Sequence, residues 1–598
     1  MRPLATLKAA LFGLAIAAPA FGQATTQTLT GTITGERTLD ASEVYLIDGE
    51  VYVDNGATLT IPAGTVLKGK QTPSAGNGKA SVLVVQRGGT IVADGTADAP
   101  IIFTAEDDDV TDAFDTNEGQ RRLWGGVILL GQATNNRGTR NVEGIDANAK
   151  TVYGCGDAGF DCDDDDSSGT LRYVSIRHAG FTNEPDAEIN GLTLGSVGRG
   201  TTIEYVEVFA NSDDSFEFFG GTVNARYLIA AFSGDDDIDW DQGYTGKLQF
   251  VFSLKDESGD VGRCIEGDGA STPYTATPLS NPVVSNLTCV GSGVGSSPGG
   301  SDAGGPTLKL RENTLGAIYN SVFTAYETSN GGIDLEPQPV DGNDQPIGDP
   351  AVSTSQNFRD GDLVIENNIF FDFSVGNDAA SIVRRDESAI ETTIAANNRF
   401  VSPELVQVGD GPGDETASTP VFDDARDQDG VLDPRPAQDG AAATGADFTL
   451  ARLTGDSDDD DDGADGGFFR TVDYLGAFAP TSEASWASGW SALASMGYLS
   501  EQSAVVNEEA VEARFELTVG PNPTRGLATV RYALDRGQQV RVALYDVLGR
   551  EVATLADGAV AAGPASVEVD TASLPTGTYV LRLQAESGTL TRTITVVR

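Results

Sequence analysis

The sequence is poor in histidine, with His178 alone among 598 residues. Most histidine-based metal sites are therefore excluded, and a Ser-His-Asp catalytic triad is disfavoured. His178 follows a strand-like run, Tyr173–Arg177, and we expect it to occupy a turn or to stack on a neighbour. The alternative is that it acts as a lone general base.

Basic residues are also scarce: 38 Lys and Arg stand against 89 Asp and Glu, which gives a net charge of −51. We expect no binding to nucleic acid, because phosphate backbones are recognised by basic patches. The sequence has no phosphate-binding loop, nucleotide fingerprint or reactive-thiol motif, so we expect no organic cofactor. The acidity fits either adaptation to high salt or an acidic, calcium-rich extracellular protein, and the composition leaves both open.

Beyond the N-terminus the sequence lacks hydrophobic runs that could span a bilayer. The basic start Met1–Lys8, the short apolar stretch Ala9–Ala18 and the small residues after it predict a secretory signal peptide over residues 1–22. We therefore expect a mature chain without a transmembrane segment. Four cysteines fit the oxidising compartment that such a signal implies.

Short apolar-alternating runs fill residues 25–400, and their pattern repeats. Phe216–Phe218 matches Ile238–Trp240, 22 positions later, and Leu192–Leu194 lies 24 positions earlier. Cys264–Gly267 and Leu308–Leu310 are further copies. A period of about two dozen residues is typical of one turn of a right-handed parallel β-helix with three short strands. We therefore predict an all-β coil over residues 25–400, with apolar side chains inside and the acids between them outside.

Four cysteines allow three pairings, of which we favour Cys155–Cys162 with Cys264–Cys289. Successive turns of the coil lie about 4.8 Å apart. A separation of 25 residues therefore predicts that Cys264 lies directly beneath Cys289, within disulfide reach. The alternative is four buried free thiols.

Acidic residues concentrate in two adjacent turns of the predicted coil. Two carboxylates about 5 Å apart repel by about 0.8 kcal/mol in water and by about 3 kcal/mol at an effective dielectric constant near 20. Calcium, a shared proton, an arginine such as Arg226, or bulk salt must offset this repulsion. Calcium suits an all-oxygen ligand set, while a solvated acidic face and a catalytic acid pair stay open. The candidate metal ligands are Asp213, Asp214, Glu217, Asp235, Asp236, Asp237, Asp239 and Asp241.

A second candidate calcium site is formed by Asp458, Asp460 and Asp462, which with Gly463 fit the first half of a calcium loop. The bidentate glutamate of such loops is missing, because Phe469 stands eleven positions after Asp458. A solvated acidic loop is the alternative. Residues 401–500 are accordingly predicted to be an acidic loop region followed by a cap, in which residues 471–500 fold back over the open end of the coil.

Residues 514–598 alternate apolar and polar positions between short turns, which predicts a small Ig-like β-sandwich after a linker at residues 501–513. Pro521–Pro523, Tyr545–Val552 and Leu574–Tyr579 resemble the type A C-terminal sorting domain of the type IX secretion system of Bacteroidetes. The resemblance implies that the type IX secretion machinery is a partner. It also implies passage across the outer membrane to the cell surface or the medium.

Residues 40–495 resemble a family of secreted parallel β-helix proteins with a pectate-lyase-like fold. The resemblance rests on Leu123–Gly131, Ile189–Gly195, Phe218–Ala225 and Gly476–Phe478. It implies the fold and assigns no activity.

Two functions are therefore open. The first, which we favour, is a non-catalytic, adhesin-like module that binds a glycan or another cell-surface ligand. The second is a calcium-dependent polysaccharide hydrolase or lyase that uses the acidic turns. Gly234–Ile238 resembles the Gly-Asp-Asp segment of pectin-hydrolysing β-helix enzymes, but their Gly-His-Gly and Arg-Ile-Lys segments are absent. A lyase would need a base beside the calcium, for which Lys247 and Arg263 are candidates.

Overall fold

The computed structural model divides into two compact units, one drawn from residues 1–480 and 485–504 and the other from residues 481–484 and 505–598. The predicted signal peptide and linker lie outside the described residues. The structure describes residues 26–74, 80–157, 159–181, 188–257, 259–271, 273–300, 302–339, 352–384, 388–408, 432–454, 467–500, 516–520, 524, 527–534, 538–546, 550–560, 563–571, 574–585 and 588–596.

The first unit is a coil in which 24 strands pair in parallel. Its first strands are β1 (Thr26–Ile33), β2 (Glu36–Thr38), β3 (Val44–Val53), β4 (Thr58–Ile61), β5 (Val66–Gly69), β6 (Val82–Val85), β7 (Thr90–Asp94), β8 (Ile101–Ala105) and β9 (Val127–Leu130). A small hairpin, β10 (Arg140–Asn141) with β11 (Val152–Tyr153), interrupts the coil. The coil continues with β12 (Gly169–Arg177), β13 (Leu192–Gly195), β14 (Thr202–Phe209), β15 (Phe216–Phe219), β16 (Ala225–Ala231), β17 (Ile238–Asp241), β18 (Lys247–Leu254), β19 (Ile265–Asp268), β20 (Val283–Val290), β21 (Leu308–Arg311), β22 (Gly316–Tyr319), β23 (Val322–Tyr326), β24 (Ile333–Leu335), β25 (Leu363–Glu366) and β26 (Ile369–Phe373).

The residues that repeat in the sequence pair with one another along one face of this coil. Leu192 pairs with Phe216, Phe216 with Ile238, Ile238 with Ile265, and Ile265 with Leu308. All five side chains are buried in one continuous core. The predicted parallel β-helix is thereby confirmed.

In the middle of the coil, the two other faces of a turn come from one longer strand that bends in its middle. Five such strands, β12, β14, β16, β18 and β20, pair in succession. Their bend residues have φ between +48° and +59° and are Tyr173, Tyr205, Tyr227, Phe250 and Asn286. A left-handed conformation costs an L-residue roughly 1–2 kcal/mol. Stacking offsets this cost, because neighbouring rings from Tyr173 to Phe250 have centroids 4.3–4.9 Å apart. We call Tyr173, Tyr205, Tyr227 and Phe250 the aromatic ladder.

The helices lie towards the C-terminal end of the unit. They are α1 (Thr354–Asp360), α2 (Ala379–Ile382), α3 (Ser388–Asn397) and α4 (Ala492–Ser495). Helix α1 contacts β24 and β25, and α3 contacts β25. Phe358, Ile382, Ile390 and Ile394 join the main core there. The apolar faces of α1, α2 and α3 thus close the end of the coil.

Residues 467–500 form a segment that we call the strap, and its position corrects the expectation of an end cap. Trp490 packs edge-on against Tyr173, with centroids 5.8 Å apart, and Phe478 packs against Phe252 at 5.1 Å. The Tyr498 hydroxyl donates to Glu118 over 2.6 Å. The strap therefore runs along the side of the coil, because the outward-facing aromatic side chains there need a cover.

A buried carboxylate fastens the strap at α4. Glu207 accepts hydrogen bonds from the backbone amides of Ala492 and Leu493 at the start of that helix. Burial raises the pKa of Glu207, and the charge of Arg177 offsets part of this effect. A short antiparallel pair, β27 (Leu405–Gln407) with β28 (Asp433–Pro436), precedes the strap in sequence.

Both predicted disulfides, Cys155–Cys162 and Cys264–Cys289, are present. The predicted stacking of Cys264 beneath Cys289 is wrong. Cys289 lies in β20, where it pairs with Ser253 and Phe323, whereas Cys264 immediately precedes β19 on another face. Both residues are fully buried in the main core, with α-carbons 6.2 Å apart. The bond therefore crosses the interior and joins two faces.

The second unit consists of antiparallel strands in two sheets, and the Ig-like form of the predicted sandwich stays a prediction. They are β29 (Glu516–Gly520), β30 (Leu527–Leu534), β31 (Gln538–Asp546), β32 (Glu551–Val560), β33 (Gly563–Asp570), β34 (Gly577–Ala585) and β35 (Gly588–Val596). One sheet has the order β29-β30-β33 and the other β32-β31-β34-β35. Val530 and Val569 of the first sheet share a core with Leu544, Leu581 and Ile594 of the second.

Candidate metal centre

The ladder that carries the repeat also places charged side chains in a column on its outer surface. Glu217 pairs with Asp239, Asp239 with Glu266, and Glu266 with Lys309, which pairs with Asp334. Neighbouring strands lie about 4.8 Å apart. Three carboxylates therefore follow one another before the first cation of the column.

The turns before β15 and β17 bring four more carboxylates to the same surface. Asp213 and Asp214 occupy the first turn, and Asp235 and Asp236 occupy the second. The backbone amide of Asp236 donates to Asp214 Oδ1 over 2.9 Å, which holds the two turns in register. Gly234 makes this approach possible, because a Cβ there would lie 2.3 Å from the carbonyl oxygen of Ser212.

These side chains line a cleft of about 360 Å³ on the surface of the coil. Ten of its lining residues are acidic and three are basic, and none is aromatic. The acidic residues are Glu143, Glu188, Asp213, Asp214, Glu217, Asp235, Asp236, Asp239, Glu266 and Asp302, and the basic ones are Arg263, Lys309 and Arg311.

Arginines neutralise one end of the cleft. Arg263 lies 3.1 Å from Asp236 and also contacts Glu266 and Asp302. Arg311 contacts Glu266 and lies 2.6 Å from Asp268. Burial opposes ionisation of Asp236, but the charges of Arg263 and Lys255 outweigh it and lower the pKa of this carboxyl. At this end each of these carboxylates has a basic partner, although burial still raises the pKa of Glu266 to about 8.

The other end of the cleft lacks such partners. Within the described part of the chain, none of its seven carboxylates forms an ion pair with Lys or Arg. Two of the seven, Glu143 and Glu188, come from outside the repeat. Burial, followed by repulsion between neighbours, raises the pKa of four of the other five well above the usual range and that of Asp235 to about 7. We call these five residues the bare acids, and they are Asp213, Asp214, Glu217, Asp235 and Asp239.

The bare acids approach one another closely enough to share a cation. Carboxylate oxygens of Asp213, Asp214 and Asp235 lie within 4.8 Å of one another, as do those of Asp214, Glu217 and Asp239. One oxygen of Asp235 and one of Asp239 are buried without a hydrogen-bond partner. Hard cations such as Ca²⁺ take oxygen ligands at 2.3–2.6 Å, so the donor set fits calcium.

Not all of the candidate ligands predicted from the sequence reach the cleft. Asp237 is fully buried on another side, where it pairs with Lys255 at 3.0 Å and accepts from Ser233. Asp241 faces Asp268, and burial together with that charge raises its pKa to about 7. The second candidate site, Asp458 with Asp460 and Asp462, lies outside the described residues.

Three of the four basic or titratable residues singled out in the sequence lie outside the cleft. Arg226 pairs with Glu204 at 2.8 Å on a different face, so the expectation that it offsets the acidic turns is wrong. Lys247 begins β18 on that same face. His178 has φ +59° and stacks edge-on against Phe209, and burial lowers its pKa to about 4. Arg263 alone of these candidates lines the cleft.

Sequence reasoning missed the residues that come from outside the repeat. Glu143 lies in the segment that interrupts the coil between β9 and β12, and Glu188 precedes β13. Asn190, which is 1 % exposed, donates from Nδ2 to Glu217 and leaves its Oδ1 without a partner. The sequence repeat could have identified Asn190, since the register that pairs Leu192 with Phe216 places position 190 beside Asp214 on the next turn.

Two family models match the chain. Residues 31–417 match the pectate-lyase-like beta helix domain, and residues 518–597 match the secretion system C-terminal sorting domain. No curated protein matches the sequence. The chain is also similar to the crystal structure of full-length tailspike protein 2 from Escherichia coli O157:H7 bacteriophage CAB120, with 8 % identity and a TM-score of 0.18. That match covers 92 % of this chain and 64 % of the tailspike, so the chain spans less than two thirds of its length.

The sorting domain indicates the destination of the protein. It implies interaction with the type IX secretion machinery and secretion to the cell surface or the extracellular space. Among the described residues, no helix has the length and apolar character needed to cross a membrane.

Proposed function

Because the chain belongs to the family of pectate-lyase-like β-helix domains and is secreted, we propose that it is a calcium-dependent, non-catalytic binding module displayed outside the cell. Calcium bound by the bare acids is the feature on which ligand binding depends. The ligand is a glycan or another cell-surface molecule that offers oxygen donors to the ion.

The unbalanced end of the cleft carries this proposal. Ionised carboxylates that are buried without a basic partner are costly, and a divalent cation offsets that cost by coordinating them. Side-chain oxygens are the only donors of the bare acids, which favours calcium over softer metals. Secretion supports this choice of metal, because calcium sites of extracellular modules work at dissociation constants of about 10⁻⁴–10⁻³ M.

The lining of the cleft supports binding through the ion rather than through sugar stacking. None of the cleft residues is aromatic, so a saccharide ring finds no flat apolar surface there. Coordinated calcium keeps open positions for ligand hydroxyl or carboxylate oxygens. A ligand held in this way would be released by a chelator.

Arg263 supports the non-catalytic form of the proposal. A lyase needs a base that can lose its proton beside the calcium. Burial alone would lower the pKa of Arg263, but Asp236, Glu266 and Asp302 raise it overall. The guanidinium therefore stays charged and acts as a partner for the acids.

A glycan array probed with the full secreted chain, in calcium and in EDTA, tests the proposal. We expect retention on the array in calcium only, and no cleavage when the same glycans are incubated with the protein. Asp214→Asn should lose retention, whereas the matched control Asp98→Asn, an exposed aspartate outside the cleft, should keep it.

Two results would contradict the proposal in different ways. Retention that survives both EDTA and Asp214→Asn removes the role of the cation. Polysaccharide cleavage that depends on Asp214 shows that the module is an enzyme.

A further inference from the structure

The bare acids fall into two overlapping triads rather than one cluster. The first consists of Asp213, Asp214 and Asp235, and the second of Asp214, Glu217 and Asp239. Only Asp214 belongs to both. Among the described residues, no group that lies within 4.8 Å combines Asp235 with Asp239.

The chain direction explains this separation. Asp235 lies in the turn before β17, and Asp239 lies inside that strand, four residues later. An extended chain rises about 3.3 Å per residue, so the two α-carbons are separated by up to about 13 Å. The ligands of a single calcium lie within about 2.6 Å of the ion, so their oxygens span at most about 5 Å. In the observed arrangement the two side chains belong to different oxygen groups, so a single ion would have to draw them together to bind both.

Each triad contains a buried carboxylate oxygen that has no hydrogen-bond partner. Asp235 Oδ1 in the first triad and Asp239 Oδ1 in the second are buried without a hydrogen-bond partner. Asn190, 1 % exposed, contacts Glu217 through its Nδ2, and its Oδ1 has no partner either. An amide oxygen is a common calcium ligand, so Asn190 adds a neutral donor beside the second triad.

The charge of the bare acids also indicates more than one ion. Five ionised carboxylates carry five negative charges. One calcium leaves three of them uncompensated, whereas two leave one. The arginines of the cleft are already engaged, Arg263 by Asp236, Glu266 and Asp302, and Arg311 by Glu266 and Asp268.

We propose that the cleft binds two calcium ions, one in each triad, and that Asp214 bridges them. This inference rests on the proposed function, which requires only that the cleft binds calcium. Asp235 then serves the first ion alone, and Asp239 serves the second ion alone. The paired ions offer two neighbouring sets of open coordination positions to the oxygen atoms of a ligand.

Isothermal titration of the full, metal-stripped chain with CaCl₂ at pH 8 tests the inference. We count ions by difference between variants, so that calcium bound elsewhere in the chain cancels. We expect Asp214→Asn to bind two ions fewer than the wild type. Asp235→Asn and Asp239→Asn should each bind one ion fewer, and the control Asp98→Asn should match the wild type.

The outcomes separate this inference from the proposed function. The paired site is overturned if Asp214→Asn binds only one ion fewer than the wild type and only one of Asp235→Asn and Asp239→Asn does the same. That result leaves a single calcium site intact. Equal stoichiometry in all variants and the wild type overturns both.

Folding of the variants is checked by far-ultraviolet circular dichroism and by melting in EDTA. Asp→Asn is nearly isosteric and removes repulsion, so the variants should melt at or above the wild-type temperature in EDTA. Should a variant unfold, crystals of the wild type soaked with Tb³⁺ give the count directly. Two anomalous peaks flanking Asp214 support the pair, and a single peak overturns it.

Discussion

Asp214 accepts a hydrogen bond from the backbone amide of Asp236, 2.9 Å away on the next turn of the coil. The bond fixes two acidic turns against each other although both carry negative side chains. The acids cannot move apart to relieve their repulsion without breaking the register of β15 and β17. The fold therefore holds the carboxylates close to one another.

The stability of the metal-free protein should fall as the pH rises from about 5 to about 8. Burial, then repulsion from Asp236, raises the pKa of Asp235 to about 7. Asp213, Asp214, Glu217 and Asp239 shift in the same direction, chiefly by burial. A carboxyl with a raised pKa in the folded state holds its proton longer when folded than when unfolded. Stability is therefore full below the unfolded pKa, near 4, and is lost as the pH rises through the folded pKa.

Melting temperatures measured in EDTA and in millimolar calcium check this pH dependence. Calcium should flatten the fall, because bound ions compensate the ionised acids and stabilise the folded state by mass action. A melting temperature that rises from pH 5 to pH 8 in EDTA would show that these carboxyls are not destabilising when ionised.

Arg263→Met should destabilise the coil by about 3 kcal/mol or more. The guanidinium is buried and contacts three carboxylates, of which Asp236 and Glu266 are buried as well. Removing one partner of a buried ion pair leaves an uncompensated charge. Urea denaturation followed by circular dichroism measures the loss.

Arg199→Met is the matched control for that substitution. The Arg199–Asp165 pair is largely exposed, with side-chain exposures of 39 % and 75 %, and should contribute less than about 1 kcal/mol. Equal effects of the two substitutions would mean that the network around Arg263 gives no stability of its own.

Replacing both Cys264 and Cys289 by Ala should cost about 3 kcal/mol. The disulfide closes a 25-residue loop and joins two faces through the core. The Cys155–Cys162 loop spans seven residues, so its removal should cost about 1 kcal/mol less. Denaturation of the two double variants compares them, and a larger loss for the shorter loop would be the opposite result.

Trp490→Ala should loosen the strap while the coil stays folded. Trp490 is 1 % exposed and packs against Tyr173 and Tyr205. Truncating a buried tryptophan costs about 3–5 kcal/mol, and here the cost falls on one segment. Hydrogen exchange should rise in the strap and along the aromatic ladder, and stay unchanged at Phe216–Phe219 in the core. Phe114→Ala, at a ring that is 71 % exposed, should change none of these rates.

The fold was predictable because one ladder has a nearly regular spacing. Phe216 and Ile238 carry the same pattern of apolar and acidic neighbours, and they are directly paired. The position of Cys264 relative to Cys289 was not predictable from that spacing. A period indicates the turn of the coil to which a residue belongs, but not the face of the coil on which it lies. These two cysteines lie on different faces.

The site could be predicted only in part, for a related reason. Asp213, Asp214 and Asp239 were found because they follow the repeat. Asp237 follows it too, but its side chain turns away from the cleft to Lys255. Glu143 comes from a segment outside the repeat, so no periodic signal marks it.

The strap was misplaced because only the open end of the coil was considered to need a cover. Tyr205, Tyr227 and Phe250 recur at the period of the coil, with spacings of 22 and 23 positions, and show that its side needs a cover as well.

The most direct test is the anomalous diffraction of crystals grown with saturating calcium and collected at a long wavelength. The account predicts calcium peaks within about 2.6 Å of the Asp214 carboxylate, with Asp235 or Asp239 among the ligands. An ordered cleft that contains only water and shows no anomalous density beside Asp214 would contradict it.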